Sequence, residues 1–195
     1  MVRRTRAEME ETRATLLSTA RQVFSEHGYV GTSMDDLTAR AGLTRGALYH
    51  HFGDKQGLLE AVVAQIDDEV DQRLNSITDS ADDAWDGFRR RCRAYLEMAL
   101  ERDIQRIVLR DARAVLGGAS QASHQHCLAT MQRVVQRLVE EGVMVQAEPR
   151  ALAALIYGSL AEAAVWIAQG DDGDARLVQS LEALDLLLHG LLAGK

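Results

Sequence analysis

A single proline, Pro149, interrupts 195 residues, and apolar positions recur three and four apart along almost the whole chain. No stretch alternates apolar and polar residues for the length of a strand. Proline breaks helices and glycine weakens them. A chain with one proline, and with glycine or a capping residue between its periodic segments, is therefore constrained to an all-α class. Alanine, leucine, glutamate, arginine and valine dominate, which favours the same outcome. The length suffices to bury a sizeable core in one large domain or two small ones.

The periodicity predicts about nine helices. The first covers residues 7–27, with Leu16, Leu17, Ala20, Val23 and Phe24 on one face and Gly28 as its stop. The second opens at Thr32 or Ser33, where Ser33 and Asp36 fit a capping box, and stops at Gly42. The third opens on Thr44 as N-cap, with Leu43 and Leu48 as a hydrophobic staple and Leu48 and Phe52 facing inward. A fourth starts after the N-cap Asp54 and runs to about 77, long enough to link two parts of the molecule rigidly. Four more are expected over about 85–100, 103–116, 120–141 and 149–169, the last with Pro149 at its first position, and a ninth over 175–193. Residues 1–57 form a three-helix head and 58–195 a larger helical domain.

Charge separates these two parts. Residues 1–57 hold 8 basic and 7 acidic side chains, a net +1, whereas 58–195 hold 14 and 22, a net -8. The acidic balance keeps the larger part away from polyanions and leaves the head exempt. Within the head, TRGALYHHFGDK (44–55) gathers Arg45, Tyr49, His50 and Lys55. The second and third helices, joined by a tight turn at Gly42-Leu43, make a helix-turn-helix. With Leu48 and Phe52 inward, Arg45, Gly46, Tyr49 and His50 face out. Small Gly46 and Ala47 let the helix start approach a surface closely, and its amides, its dipole and the Thr44 hydroxyl suit a phosphate. Arg45 can reach a guanine edge or a phosphate. Thr32, Ser33 and Lys55 lie at the starts of neighbouring helices and extend the same face. The same residues also fit a surface turn between two core helices.

The order FSEHGYVGTSMDDLTARAGLTRGALYHHFGDKQGLL resembles the N-terminal DNA-binding region of TetR/AcrR-type transcriptional regulators over about residues 12–60. Shared features are the turn at Phe24, Gly28 and Tyr29, Thr32 ahead of the second helix, Ala41-Gly42, and Leu48-Tyr49-His50-His51-Phe52 followed by Lys55. The resemblance implies that the third helix reads a major groove, with Tyr49, His50 and Lys55 on phosphates and Arg45 in the groove. It further implies a homodimer on a double-stranded DNA operator, most often a repressor released by a small-molecule inducer. A ligand-independent or architectural DNA-binding protein is the alternative.

In the larger part, Leu177, Leu181, Leu184, Leu188 and Leu191 are spaced as a seam for a partner helix, and Leu187 and Leu192 widen it. The eighth helix is apolar nearly all round, and Ala154, Gly158 and Ala161 give it a close-approach face. A protomer could cover these faces with its own core. The resemblance instead implies a dimer four-helix bundle built from two copies of the last two helices. Trp85, Phe88 and Tyr95 on the fifth helix, His124, Cys127 and Met131 on the seventh and Trp166 on the eighth are either core filling or the lining of an apolar-ligand site. The run at Arg89, Arg90, Arg91 and Arg93 reads as a solvated face ahead of a ligand anchor, and Arg106, Arg110 and Arg113 as partners for Asp103 ahead of holders of a ligand carboxylate.

Several classes are set aside. His124, His126 and Cys127 offer only two residues on one face, so no metal is expected, and no cofactor. There is no Ser/His/Asp set, no Glu-x-x-His pair and no phosphate loop, so an enzyme is not expected. The apolar run 151–168 approaches a membrane span in length but holds Glu162, Ser159 and Tyr157, and reads as a buried helix. The charged N-terminus lacks a secretory apolar region, and Cys92 and Cys127 form no CxxC pair. A cytoplasmic protein with reduced cysteines is expected.

Overall fold

The computed structural model describes residues 5–118 and 120–194, so the first four residues of the charged N-terminus lie outside the described residues. Among them nine α-helices follow one another: α1 (Arg6–His27), α2 (Met34–Ala41), α3 (Arg45–Phe52), α4 (Lys55–Asp79), α5 (Ala84–Glu97), α6 (Arg113–Leu116), α7 (Gln121–Glu140), α8 (Pro149–Gln169) and α9 (Gly173–His189). A 3₁₀ turn (Met98–Leu100) and a π-helical segment (Ile104–Ala112) lie between α5 and α6. The expected all-helical class holds. The β pairing among the described residues is one isolated bridge, Met144 with Leu192. It accounts for the early end of α9: beyond Gly190 the chain turns back, and Val145 N–H donates to the Leu191 carbonyl at 2.9 Å.

Helix starts follow from capping chemistry. Thr5 and Glu8 form a reciprocal capping box ahead of α1. Ser33, Thr44, Asp83 and Ser120 each accept from the backbone N–H three residues on, and Asp54 accepts from Gly57 N–H at 2.8 Å. Each such cap contributes about 1 kcal/mol by satisfying a donor the helix cannot. The box expected at Ser33 is not reciprocal, because the Asp36 carboxylate accepts from the Ser33 hydroxyl at 2.7 Å instead.

Contacts divide the chain into two compact units. The first holds the residues up to Ile66 and the stretch that starts at Arg102 and ends before α7; the second holds Asp67–Glu101 and the residues from Ser120 on. The division thus falls later along α4 than the 57/58 boundary read from sequence, and the π-helical segment joins the head.

In the first unit Leu16, Ala20, Val23 and Phe24 of α1 are buried with Leu37, Leu48, Leu58, Leu59 and Val62. At about 1.5–3 kcal/mol for each large apolar side chain, this core stabilises the three short helices that could not stand alone. The sixth helix, expected as α over 103–116, is π-helical through Ala112. In that geometry residues five apart stack. Arg106 therefore lies over Asp111, its Nε 3.7 Å from Asp111 Oδ2. Asp111 Oδ2 accepts from Tyr29 N–H at 2.6 Å, and Gly28, with φ +73, leaves room where a Cβ would collide with the Arg106 guanidinium. Asp103 accepts from Arg21 Nε at 2.8 Å. The expected pairing of Arg106 with Asp103 is thus replaced by two pairs, Arg21–Asp103 and Arg106–Asp111.

In the second unit α8 buries Ala153, Ile156, Leu160, Ala164, Val165, Ile167 and Ala168 and packs on α5, α7 and α9. By length and composition α8 is long and apolar enough to cross a membrane, but it packs inside the unit along one side only. The Arg89–Arg93 run is not uniformly solvated. Arg91 is buried and donates to Asn75 Oδ1 at 2.8 Å and Asp71 Oδ1 at 3.2 Å, whereas Arg89 and Arg90 are exposed beside Asp86.

Candidate nucleic-acid interface

The candidate surface is built on α3. Leu48 anchors the helix, fully buried, and turns Arg45, Gly46, Tyr49 and His50 to solvent. Thr44 Oγ1 accepts from Ala47 N–H at 3.2 Å. A hydroxyl that accepts keeps its own proton for an outside acceptor. Gly42, the αL residue with φ 64, sets the turn between α2 and α3, donating to the Ala39 carbonyl at 3.2 Å.

Arg45 does not float free. Its Nη1 lies 3.2 Å from Asp35 Oδ1, its Nη2 donates to Tyr49 Oη at 3.5 Å, and its guanidinium carbon stands 5.9 Å from the Tyr49 ring centre. Asp35, at the start of α2, was not singled out in the sequence; an acidic residue ten positions before Arg45 carries no local signal of the pairing. Among the described residues nothing requires Gly46, because a Cβ there would meet only Thr44 Oγ1, at 3.9 Å.

Thr32, Ser33 and Lys55 differ from expectation. Thr32 is buried, and its hydroxyl donates to the Gly28 carbonyl at 2.7 Å, which closes the turn after α1; it is a structural residue and not an accessible contact. Ser33 spends both hydroxyl functions on Asp36. The Lys55 ammonium sits 4.3 Å from the centre of the Tyr29 ring. Partial burial there holds its pKa below the usual lysine range, with Asp111 acting the other way.

The residues expected to line a ligand site split into groups. Trp85 packs on Phe88, ring centres 5.8 Å apart, and Phe88 is sealed in the core. Met131 is also buried. Tyr95, Cys127 and the exposed His124 belong to a polar layer with Tyr157 and Asp67, neither of which was assigned to the site from sequence. Trp166 leaves the set. It is 43% exposed, and its ring lies 5.0 Å below the Arg176 guanidinium. Its place is the outer groove between α8 and α9, lined also by Ser159, Ala163, Gln179, Ala183 and Leu187.

The centre of the leucine seam turns inward, while Leu187, expected to widen it, is exposed. Leu184 and Leu188 are 5% and 2% exposed, and Leu177 and Leu181 are half-buried. The chain itself covers that stripe, so it is not the outward face. Ala154 and Gly158 do face out, Ala161 is half-buried, and a Cβ at Gly158 would meet nothing. On α8 and α9 the large apolar side chains left in water are Leu155 (73% exposed) and Leu186 (78%), with Trp166, Val178 and Leu187.

Comparison with known proteins gives one result. Residues 16–62 match the family profile described as bacterial regulatory proteins, tetR family. Residues 85–191 match the profile described as tetracyclin repressor-like, C-terminal domain. A TetR-family transcriptional regulator from Pectobacterium atrosepticum, solved by crystallography, is 71% identical; the match covers 98% of this chain and 99% of that one, with a TM-score of 0.93. The HTH-type transcriptional regulator TtgR of Pseudomonas putida is 37% identical over 83 residues, 43% of this chain and 39% of that protein. The chain thus spans about two fifths of the length of the curated regulators it matches first. The fold is shared more widely: FadR of Bacillus subtilis, solved in complex with stearoyl-CoA, is 15% identical over 92% of this chain and 99% of that one, with a TM-score of 0.75.

Proposed function

The chain belongs to the tetR family of bacterial regulatory proteins, and from that premise we propose a homodimeric transcriptional repressor that holds a near-palindromic DNA operator and releases it to a small-molecule inducer. The observation that carries the DNA half is Gly46. A glycine in a helix costs stability, and no internal contact asks for this one. Its use is external: it lets the first amides of α3 come close to a phosphate or a base edge. Arg45 leaves Asp35 and Tyr49 for a guanine, whose O6 and N7 offer two acceptors to one guanidinium. Tyr49, His50 and Lys55 take phosphates.

The outer faces of α8 and α9 support the dimer. A second copy covers Leu155, Val178, Leu186 and Leu187 and sets α8 against its twin at Gly158. Two heads one helical turn apart then read two half-sites, so that two weak readers give one specific complex. α4 supplies residues to both compact units. A ligand that prefers one arrangement of α4 shifts the DNA equilibrium by its differential affinity and by nothing else.

The test is fluorescence anisotropy on an operator recovered from the protein's own genome. Affinity is expected to fall steeply with salt as phosphate contacts release counterions. Arg45→Ala should cost about 1–3 kcal/mol and relax one base position per half-site. Affinity indifferent to salt would refute the backbone contacts, and uniform weakening by Arg45→Ala would make Arg45 a phosphate contact.

A further inference from the structure

Asp67 and Asp71 stand one turn apart on α4, and their surroundings differ. Asp71 has a cation. Arg91 of α5 donates to its Oδ1 at 3.2 Å, Asn75 Nδ2 donates to its Oδ2 at 2.9 Å, and His126 Nε2 lies 3.4 Å away. Arg91 is itself buried, so this layer closes on its own charges.

Asp67 has no such partner. Its one polar contact among the described residues is the Ser123 hydroxyl, which donates to Oδ2 at 2.7 Å. Four residues along α5 from Arg91, on the same face, stands Tyr95 rather than a second arginine. Tyr157 of α8 and Cys127 of α7 share its surroundings, and His124 stands edge-on to Tyr157 with ring centres 5.1 Å apart. Burial pushes Tyr95 and Cys127 above their usual ranges and Tyr157 up to about 12, and the Asp67 charge adds to each. Yet Asp67, Tyr95, Cys127 and Tyr157 are half-buried, not sealed. Each therefore keeps some surface that a ligand can touch.

We propose that this layer recognises a hydrophobic amine, whose ammonium pairs with Asp67 against the Tyr95 and Tyr157 rings. The chemistry follows from what is missing. A desolvated carboxylate without a counter-ion is costly, and aromatic faces attract cations. A bound ammonium does for Asp67 what Arg91 does for Asp71 one turn away. An anionic ligand meets repulsion here, and a neutral one leaves the carboxylate unpaired. The inference rests on the reading of the second unit as the ligand-responsive part.

The experiment is calorimetric titration of the full chain with matched probes: arylalkyl amines, 4-phenylbutylamine and larger homologues, each beside its neutral alcohol. In the best pair the amine should bind about tenfold or more tighter than the alcohol. Asp67→Asn keeps the shape and the Ser123 contact. It should erase that ratio while leaving the alcohol's Kd within about twofold. Alcohols that bind as tightly as amines, a ratio that survives Asp67→Asn, or a panel without binding would each overturn the proposal. Operator release, followed by anisotropy in the same samples, separates the two readings. Amines that bind through Asp67 without displacing DNA uphold this site and sink induction. Release by neutral probes alone, unchanged in Asp67→Asn, upholds induction and sinks this site.

Discussion

Gly158→Leu separates the protomer from the dimer. In the protomer the position is exposed, on a helix, with no atom near the new Cβ. Leucine is a far better helix former than glycine, so α8 should gain about 0.5–1 kcal/mol. In the proposed dimer the same side chain is driven between two helices at close approach. Overpacking costs about 1–3 kcal/mol per site, and a twofold interface carries the substitution twice. The total is about 2–6 kcal/mol, or roughly 30- to 20,000-fold in the dimer Kd. Sedimentation equilibrium measures that Kd, and far-UV circular dichroism reads the helix content of the same samples. The expected result is a helical monomer with specific operator binding lost. A variant that stays dimeric with unchanged Kd would remove the outer face of α8 from the interface and refute the reasoning.

Gly46→Ala should stabilise α3 by about 0.5–1 kcal/mol, since nothing crowds the new methyl, yet weaken operator binding; tighter or unchanged binding would show that nothing approaches there. Leu187→Asp should give a folded monomer, whereas Leu184→Asp puts a charge into the protomer's own core and should lose helix content itself. Similar circular dichroism spectra for those two variants would contradict the assignment of inner and outer faces. Burial holds the Asp67 carboxyl above its usual range, opposed by Ser123, so the folded chain binds that proton more tightly than the unfolded chain. Stability from this group is then lost as pH rises from the ordinary carboxylate range through the raised value. Asp67→Asn cannot lose a proton, and its stability relative to wild type, from urea titrations, should improve with rising pH; a difference independent of pH would refute the burial of a charge there.

Helices, their caps and the family resemblance were legible because their causes are local. Thr44, Gly42 and Pro149 act on backbone groups within a few residues of themselves, and apolar spacing shows which residues share a face. The reading head was legible for the same reason: Arg45, Tyr49 and His50 lie within two turns of one helix whose inner residue, Leu48, is plain. Thr32 was misjudged because its hydroxyl looked free in a helix start, and only the turn back to Gly28 shows it spent.

By itself, then, the sequence determined an all-helical chain, the helix-turn-helix and the exposed face of α3. Tertiary structure alone decided which side of an apolar helix is inside. Leu184 and Leu188 form as regular a stripe as any interface, yet the protomer keeps them, and Leu186 and Leu187 go to solvent. Spacing cannot choose between two apolar stripes on one helix, because the choice depends on which neighbouring helix arrives to cover one of them. The same holds for charge. Arg91 was one of four arginines in a run until α4 brought Asp71 and Asn75 to it. Asp67 was one acidic residue among many until Ser123, far along the chain, became its one polar contact among the described residues. Electrostatic partners are chosen by distance in space, and distance in space is what folding supplies.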